Sequence, residues 1–555
     1  MMKWWGWGAA DRSFDLDSRP LLRPWLEKHF DFDLDTRELP VCREDFAMPV
    51  ALDVSRLVNA LAGVVPASRF TADEDERLLH CFGKSYPDLF RVRRGEIPRA
   101  PDVVVMPESH DEVEAIVRMA AGLDMVVIPF GGGTNIVGGV NPEAGEPRPV
   151  ISLDLRAMDR LLEVDETSHT ATMQAGMFGP EIEKQLNERG WSLGHYPDSF
   201  EYSTLGGWLA TRSAGMQSDA FGKIEDMVMS IRMVSPSGTI ETIKVPRSAS
   251  GPSLNQIIVG SEGTLGVITE ATMCVHPAPE TKQFYGILFP RFADGVEAIR
   301  ACTHAGNAPT LLRMSDEGET QFSFHLKPPP TGLKAIVSKV VKAWLARRGF
   351  VSPALMIAGF EGSRVEVARR KRASFAELKR HGGFMLGRGV GESWSAEKFN
   401  LPYIRDAVMD RGVRVDVAET ATTWSNLVAL HEKATRAMQD RFKADGNRSY
   451  LGCHLSHAYE TGACLYFTWA APQVAAKGAE LDAYQGYKNL ITEVFMSEGG
   501  TVSHHHAIGT EHRAWMRREL GDTGIQVLGA LKHSLDPRRI MNPGKLLPDD
   551  LESPR

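Results

Sequence analysis

Three successive glycines follow a stretch typical of a β-strand, and this feature limits the possible folds more than any other. The apolar run Met125 to Ile128 leads without a gap into Pro129-Phe130-Gly131-Gly132-Gly133-Thr134-Asn135. Glycines let the backbone approach an anion closely, and their N–H groups form a small positive concavity. The segment, called the glycine loop below, therefore predicts an anion-binding turn or a plain glycine-rich turn, and by itself does not decide between them.

Two well-known phosphate loops are excluded by the residues that follow. A Walker loop ends in Gly-Lys-Ser/Thr, whereas Asn135-Ile136 stands at that place. A dinucleotide fingerprint requires GxGxxG at the start of a helix. Counted from Gly131, this pattern puts Ile136 where the last glycine belongs, and counted from Gly133, it puts Asn135 at the middle glycine. The glycine loop belongs to neither class.

Further glycine- and hydroxyl-rich turns follow downstream. Each offers backbone and side-chain donors to a cofactor with little added charge. In chain order they are His195-Tyr196-Pro197-Asp198-Ser199, Ser203-Thr204-Leu205-Gly206-Gly207-Trp208, Thr211-Arg212-Ser213-Ala214-Gly215 and Gly260-Ser261-Glu262-Gly263-Thr264-Leu265-Gly266-Val267-Ile268-Thr269. With the glycine loop, this order and spacing resembles the FAD-binding domain of the vanillyl-alcohol oxidase superfamily, also called the PCMH-type domain.

The resemblance implies an α+β fold: a PCMH-type FAD-binding domain of two α/β subdomains, a larger mixed α/β cap domain for substrate, and a helical N-terminal segment. It implies FAD held without a covalent bond, although some members tether it through a residue near His195. Residues 131–135 and Ser203-Thr204 are expected at the pyrophosphate, and residues 262–268 along the isoalloxazine and ribityl side. The other expected cofactor contacts are Pro129, Phe130, Asp198, Ser199, Thr211, Arg212, Ser213 and Ala214.

Length and charge limit the class of protein. At 555 residues the chain exceeds a single hydrophobic core, so two or three domains are expected. The net charge of -8 removes the electrostatic basis for binding nucleic acid. The six cysteines are scattered without a CxxC pair, which argues against a zinc ribbon or a disulfide scaffold. With no signal peptide and no long apolar run, we expect a cytoplasmic protein.

Changes in the pattern of apolar and polar residues suggest that the chain has four domains or segments. Residues 1–95 are expected as a mostly helical N-terminal segment, and residues 96–279 as the FAD-binding domain, where short apolar runs alternate with helical patterns. Residues 280–500 are expected as the cap domain. Residues 501–555 then complete the active site and return to the FAD-binding domain. Within this scheme, Ser109 is expected to cap a helix, and Arg364 to Arg380 is expected to form a charged, solvated one.

A second cluster of chemistry-bearing residues lies near the C-terminus, in Ser503-His504-His505-His506-Ala507-Ile508-Gly509. On a strand, His504 and His506 would share a site while His505 points away. Metal binding needs further ligands, and no partner with suitable spacing is visible, so we assign no metal. A surface histidine tract usually lies at a terminus. Proton transfer or substrate binding is therefore favoured, with Tyr466 as a phenol candidate or simply a strand tyrosine of the core.

Almost the whole chain resembles the alkyldihydroxyacetonephosphate synthase family. The stretches that carry the resemblance are Trp4-Trp5-Gly6-Trp7-Gly8, Pro129 to Thr134, His195 to Trp208, Ile224-Glu225-Asp226, Gly260 to Thr269, Arg313, His325-Leu326-Lys327-Pro328, Leu401-Pro402-Tyr403-Ile404-Arg405-Asp406, Ala463 to Phe467 and Ser503 to His506. The resemblance implies redox-neutral use of FAD, with an adduct between flavin N5 and C1 of acyl-dihydroxyacetone phosphate. Fatty acid then leaves and a long-chain fatty alcohol attacks, which gives an ether-lipid precursor.

The same resemblance implies roles for individual residues. Tyr466 is expected as the proton donor and acceptor, supported by His504, His505 and His506. Arg405 is expected to grip the substrate phosphate, a task suited to a guanidinium fork. Substrate contacts are also expected from Arg313 and His195, which the family places near the flavin.

The chain departs from the family at three places. His454 stands where the synthases usually have arginine, Asn135 replaces the customary serine, and Ala507 to Arg513 differs from the usual Gly-Val-Gly-Lys-x-Arg. The lost cations leave the phosphate headgroup in doubt. An FAD-linked oxidoreductase or oxidase of a 2-hydroxy acid or an alcohol therefore stays as the alternative, and a flavin-loaded binding protein is disfavoured by the acid/base groups present. A homodimer and a peripheral membrane contact stay open.

Overall fold

The computed structural model describes residues 2–329, 331–474 and 478–552. These residues contain twenty α-helices and eighteen strands, and the strands form four sheets. The mixed helix and strand content confirms the expected α+β class. None of these helices combines the length and the apolar character that crossing a bilayer requires.

The N-terminal region consists of short helices joined by extended stretches. The helices are α1 (Leu22–His29), α2 (Ser55–Ala60), α3 (Glu74–Leu79) and α4 (Tyr86–Val92), with 3-10 turns at Arg43–Asp45 and Ala67–Arg69. Strand β1 (Phe70–Thr71) pairs with the neighbouring sheet. Helix α1 buries Leu22 and Leu26 against the cap sheet described below. This region therefore packs on both neighbouring parts of the chain.

A small, mostly parallel sheet holds the strand that precedes the glycine loop. Its strands are β1, β2 (Val103–Val105), β4 (Val150–Asp154) and β3 (Val126–Phe130), in that order across the sheet. Helix α5 (His110–Leu123) covers it, and the Ser109 hydroxyl accepts a hydrogen bond from the Glu112 N–H, as the sequence predicts. Met541 pairs in parallel with Val127. The C-terminal tail thus extends this sheet beside the glycine loop.

An antiparallel sheet follows, with the strand order β5-β6-β10-β8-β9. The elements of this region are β5 (Leu161–Asp165), β6 (Thr170–Gln174), α6 (Gly179–Asn187), β7 (Trp191–Ser192), α7 (Leu205–Thr211), α8 (Ser218–Phe221), α9 (Ile224–Met227), β8 (Val228–Ser235), β9 (Gly238–Glu241), α10 (Leu254–Ile258), β10 (Val267–Cys274) and β11 (His276–Pro277). Strands β7 and β11 form a separate pair. A buried cluster that includes Trp208, Met233 and Met273 joins α7 to this sheet.

The cap contains a seven-stranded antiparallel sheet with the order β15-β12-β14-β13-β17-β18-β16. Its elements are β12 (Thr281–Phe289), α11 (Phe292–His304), β13 (Leu311–Ser315), α12 (Glu317–His325), α13 (Leu333–Arg347), β14 (Ala354–Gly362), α14 (Arg364–Arg380), β15 (Phe384–Gly387), α15 (Arg388–Glu397), α16 (Tyr403–Met409), β16 (Val413–Thr423), α17 (Trp424–Ala444), β17 (Tyr450–Ala458), β18 (Gly462–Pro472) and α18 (Glu480–Ser497). Helices α11, α14, α17 and α18 bury one face of the sheet in the largest core cluster. Helices α1 and α15 cover parts of the opposite face, and other residues of that face line a cavity.

The C-terminal segment returns from the cap to the glycine-loop side. It contains a 3-10 turn at Arg513–Trp515, helix α19 (Met516–Leu535) with a break at Gly521, and helix α20 (Asp549–Glu552). The buried Lys532 ammonium donates to the carbonyl oxygens of Thr264 and Met541 at 2.7 and 2.6 Å. This ammonium fixes helix α19 to the turn that follows Glu262.

Candidate active site

A cavity of about 860 Å³ lies between the glycine-rich turns and the face of the cap sheet opposite α11, α14, α17 and α18. One wall consists of the turns beside β3, α7 and β10. The opposite wall consists of β13, β17, β18 and β16, and residues of the N-terminal segment close one end. The two halves that the sequence treats separately therefore meet at a single cavity.

Close packing fixes the turns of the first wall, which we call the flavin wall. A Cβ atom built on Gly132 would lie 1.6 Å from the carbonyl oxygen of Tyr202, and one on Gly131 would lie 2.4 Å from the Thr204 hydroxyl. Gly263 has a φ of +73° and rests against Pro129. Because these contacts admit only glycine, the three turns form one surface.

Most of the predicted cofactor residues line this wall. They are Pro129, Phe130, Gly131, Gly132, Gly133, Thr134, Asn135, Asp198, Ser199, Ser203, Thr204, Thr211, Ser213, Ala214, Glu262, Gly263, Gly266 and Ile268. The wall is therefore rich in backbone and hydroxyl groups and poor in charge. Such a donor set fits the pyrophosphate and sugar portions of FAD.

Four predicted cofactor residues point away from the cavity, contrary to the expectation. Arg212 donates to the carbonyl oxygens of Val259 and Gln256 on the far side of α7. The Thr264 hydroxyl donates to Ser261, and the apolar side chains Leu265 and Val267 lie in the two neighbouring cores. Side chains alternate along a turn and strand, so a continuous range overstates the contact set.

His195 does not line the cavity, contrary to the expected substrate contact. Its side chain is 1% exposed, packs on Trp208 with ring centroids 4.9 Å apart, and bonds to the Ser213 hydroxyl through Nε2 at 3.1 Å. Burial lowers the pKa of His195 to about 3, so the ring is neutral. His195 supports the flavin wall from behind.

The opposite wall, which we call the cap wall, carries a row of polar side chains across four strands. Ser315 pairs with His454, His454 with Tyr466, and Tyr466 with Glu419. Directly paired residues of antiparallel strands point to the same face. The strand register thus places all four side chains in one line.

Tyr466 lies at the centre of this row, half-buried and facing the cavity. Its ring stacks on His454 at 4.7 Å and on His505 at 5.9 Å, and meets His506 edge-on at 5.2 Å. Burial and the nearby Asp198 raise the pKa of Tyr466 well above its usual value. The phenol is therefore protonated at neutral pH and surrounded by imidazoles.

The three histidines belong to a loop, not to the strand that the sequence suggests. Glu419 explains the difference, because its carboxylate accepts the backbone N–H groups of His504, His505 and His506 at 2.8–3.1 Å, and the Ser503 hydroxyl at 2.7 Å. The backbone thus wraps around a carboxylate instead of pairing with a strand. His505 and His506 both line the cavity, so the predicted alternation of faces is wrong.

The charges in this cluster follow from burial and hydrogen bonding. Burial alone would raise the pKa of Glu419, but the surrounding imidazoles and backbone N–H groups hold it well below its usual range. Burial lowers the pKa of all three histidines, most strongly for His504 and His505. The geometry therefore favours an ionised Glu419 and neutral imidazoles. His504 also bonds the Tyr459 hydroxyl through Nε2 at 2.7 Å.

A second buried carboxylate fixes the end of the same loop, which we call the histidine loop (residues 503–509). Glu262, on the flavin wall, accepts the backbone N–H groups of Ile508 and Gly509 at 2.8 and 2.7 Å. Burial raises the pKa of Glu262 to about 7. One carboxylate from each wall thus positions the histidine loop between them.

The two predicted arginines line the cavity in different electrostatic states. Arg313 pairs with Glu319 at 2.8 Å, and Glu319 also bonds His454 at 2.9 Å. Arg405 donates from Nη1 to the Lys84 carbonyl oxygen at 2.5 Å, while its buried Nε and Nη2 atoms have no hydrogen-bond partner among the described residues. A buried guanidinium with unused donors is suited to an anionic ligand.

Glu419 is the main residue that sequence reasoning missed. The run VRVDVAETATT of β16 places the charged residues Arg414, Asp416 and Glu419 among apolar and hydroxyl side chains, which is unusual for a buried strand and is the signal that was available. Glu419, Cys464, His504 and His505 also place one potential metal-ligand atom each within 4.8 Å of the others. No spacing in the sequence indicates these four residues as metal ligands. In the structure the Nδ1 atoms of His504 and His505 bond each other at 3.0 Å, and Glu419 accepts N–H donors, so these potential ligand atoms are already engaged.

Comparisons with known proteins agree with this geometry. The chain matches the family of FAD binding domains over residues 101–244 and that of FAD linked oxidases, C-terminal domain, over residues 278–546. These matches and the two walls define an FAD-dependent enzyme. Alkyldihydroxyacetonephosphate synthase of Dictyostelium discoideum is 44% identical over 86% of this chain and 78% of its own length. The enzyme of Trypanosoma brucei brucei is 38% identical over 88% and 80%.

A solved structure of alkyldihydroxyacetonephosphate synthase superposes with a TM-score of 0.83 at 37% identity, covering 98% of both chains. p-Cresol methylhydroxylase shares the fold alone, with a TM-score of 0.68 at 14% identity over 89% of this chain and 97% of that one. The chain belongs to the alkyldihydroxyacetonephosphate synthase family.

Proposed function

We propose that this enzyme exchanges the acyl group of acyl-dihydroxyacetone phosphate for a long-chain fatty alcohol, without net oxidation. The observation that carries the proposal is the joining of three surfaces in one cavity: a flavin wall of uncharged donors, a row of proton-carrying groups, and an apolar extension. The family resemblance supports the same assignment. When bound, FAD supplies a ring that can form and break a bond to carbon without net redox change.

Tyr466 is the proposed proton donor and acceptor at the reacting carbon. Its protonated phenol can give a proton to a leaving oxygen, while neutral His505 or His506 can accept one from the incoming alcohol. Stacking against His454 and His505 fixes the ring, and Glu419 fixes the loop that carries the imidazoles. Positioning supports proton transfer because donor and acceptor must lie within hydrogen-bond reach.

Arg405 is the proposed phosphate contact, because its two unpartnered N–H-bearing atoms are buried at the cavity. Arg313 lies on the same cavity, but its charge is matched by Glu319. Further along the cap wall, Val415, Val417 and Ala470 replace the polar row. Leu16, Leu22, Leu26 and Phe32 of the N-terminal segment face them. This apolar end suits an acyl or alkyl chain.

The proposal is tested by mixing the FAD-loaded enzyme anaerobically with palmitoyl-dihydroxyacetone phosphate and, separately, with D-lactate or glycolate. We expect the flavin absorbance to change only with the acyl ketone phosphate. Absorbance should recover, with formation of an ether product, when hexadecanol is added. A change with the hydroxy acid alone would instead indicate an FAD-linked oxidoreductase and overturn the proposal.

A further inference from the structure

The glycine- and tryptophan-rich stretch near the N-terminus packs across helix α16, which carries Arg405. We call residues 3–8 the N-terminal strap. A Cβ atom built on Gly6 would lie 2.2 Å from Oδ2 of Asp406, and one on Gly8, whose φ is +75°, would lie 2.1 Å from the Tyr403 hydroxyl. Only glycine allows so close an approach. The two strap glycines therefore fit this segment against α16.

The strap closes a ring of contacts around Arg405. The Lys3 carbonyl oxygen accepts the Lys84 ammonium at 2.8 Å, and the Lys84 carbonyl oxygen accepts Nη1 of Arg405 at 2.5 Å. On the other side, the Lys3 ammonium lies 3.0 Å from Oδ2 of Asp406, the residue after Arg405. The Trp7 N–H donates to the same oxygen at 2.8 Å. Arg405 is thus held both at its guanidinium and through the next residue of its helix.

The ring contains more positive than negative charge. Lys3, Lys84 and Asp406 are buried, and Lys3 and Asp406 form an ion pair. Within the described ranges, neither Lys84 nor Arg405 has a carboxylate at ion-pair distance, and Nε and Nη2 of Arg405 lack hydrogen-bond partners. Burial lowers the pKa of Lys84 to about 7. Because buried cations without counter-ions are costly, this arrangement favours an anionic ligand.

We propose that the N-terminal strap positions Arg405 for the substrate phosphate, with Lys3 and Asp406 as positioning residues. A long side chain that is ordered before binding loses less conformational entropy when the ligand arrives. The strap also reaches both walls of the cavity, because Trp7 lines the cavity and its ring meets Tyr202 edge-on at 6.1 Å. The proposal rests on the proposed function, which assigns Arg405 to the phosphate.

Asp406→Asn separates positioning from simple electrostatics. The amide keeps an acceptor oxygen for the Trp7 N–H but loses the charge that attracts Lys3. Removing a carboxylate makes the site more positive, so electrostatics alone predicts tighter phosphate binding. Positioning predicts weaker binding, by about three- to tenfold, which is the cost of ordering one long side chain.

Calorimetric titration of the FAD-loaded enzyme with dihydroxyacetone phosphate measures this difference. Lys3→Met should also weaken binding. Lys28→Met makes the same change of charge at an exposed position of α1, and as the matched control it should bind like the wild type. FAD content and melting temperature, measured for every variant, identify a folding defect. Unchanged or tighter binding by Asp406→Asn would overturn the proposal, as would a wild type that binds no dihydroxyacetone phosphate.

A double-mutant cycle tests whether Lys3 acts through Arg405. Arg405→Lys keeps the charge but lacks the fork of donors that the strap is proposed to orient. Lys3→Met should therefore have little further effect on phosphate affinity in the Arg405→Lys background. An equal loss in both backgrounds would show that Lys3 acts independently of Arg405, and would refute the positioning role.

Steady-state kinetics distinguish this proposal from the proposed function. In Asp406→Asn we expect the KM for palmitoyl-dihydroxyacetone phosphate to rise by about the same factor as the phosphate affinity falls, with kcat and the KM for hexadecanol unchanged. A lower kcat with an unchanged KM would overturn the assignment to the phosphate. If the wild type binds dihydroxyacetone phosphate but gives no ether product, the proposed function fails, while calorimetry and the cycle still decide the positioning.

Discussion

The two walls of the cavity are built by opposite means. On the flavin wall, glycines bring backbone segments within van der Waals limits, as at Gly132 and Tyr202, and the donors are backbone and hydroxyl groups. On the cap wall, strand register brings side chains together, and the groups of His454, Tyr466 and Glu419 can exchange or hold protons. The first wall is suited to holding a ligand, and the second to changing one.

The histidine loop is where the two walls meet. Glu419 holds its first half and Glu262 its second half, in both cases through backbone N–H groups. Because both carboxylates bind the backbone of the loop, the imidazole side chains can face Tyr466. These separate roles predict that substitutions on the cap wall reduce turnover while FAD stays bound. Substitutions on the flavin wall should reduce FAD binding.

The largest effect is expected from Tyr466→Phe. Removing the hydroxyl leaves the stacked ring in place, so FAD content should equal that of the wild type. Turnover should fall by roughly 10³-fold or more, because general acid–base catalysis contributes about 10²–10⁴-fold. Steady-state kinetics with FAD content measured from absorbance checks both parts. Wild-type rates would remove Tyr466 from the mechanism.

Glu419→Ala should produce the next largest loss. Without the carboxylate, the N–H groups of three histidines lose their acceptor and the loop no longer holds the imidazoles beside Tyr466. We expect kcat to fall about 10²-fold with an unchanged KM, and FAD to be retained. Glu419→Gln keeps one acceptor oxygen and should fall between the wild type and Glu419→Ala. A raised KM with normal kcat would contradict a positioning role.

On the flavin wall, Gly132→Ala should weaken FAD binding by about tenfold or more. Its new methyl group would meet the Tyr202 carbonyl oxygen, so the glycine loop must shift away from Ser203. Gly122→Ala, on α5 with no atom within 4 Å of the added methyl, is the control and should retain FAD. Equilibrium titration of apoenzyme with FAD gives both affinities. Turnover at saturating FAD should recover, unlike that of the cap-wall variants.

The same contrast explains what the sequence could predict. The flavin wall consists of short contiguous turns, so most of its residues are visible as motifs. The helix that Ser109 caps is also correctly predicted. Helix α14 begins and ends where its pattern predicts, at Arg364 and Arg380. These features depend on local propensity and spacing, which a sequence displays directly.

The cap wall depends on partners that are distant in sequence. Glu419 lies more than eighty residues before the histidines it binds, and nothing in the histidine stretch reveals a buried carboxylate. Without that acceptor, the only local model for Ser503 to His506 was a strand. The predicted substrate contact of His195 was wrong for a similar reason. Its neighbours suggest a cofactor turn, but its own side chain points into the core. Burial and register are properties of the assembled fold.

The smallest effect concerns Glu262, where the two walls are joined. Its pKa is raised to about 7 in the folded protein from an ordinary value of 4.5, so the folded state binds more protons between these two values. Stability contributed by the neutral carboxyl is therefore present at low pH, declines as pH rises from about 4.5 to 7, and changes no further above that.

Glu262→Gln removes this titration, so its melting temperature relative to wild type should rise by a few degrees across that window. The pKa shift sets an upper limit of about 3 kcal/mol on the corresponding change in the free energy of unfolding. Melting curves of both proteins between pH 4 and pH 8 measure it, on the order of one curve per half unit of pH. Glu166→Gln, at an exposed turn, should give a flat difference. A flat difference for Glu262→Gln as well would show that folding does not raise the pKa of Glu262, so that both carboxylates would hold the histidine loop by charge at neutral pH.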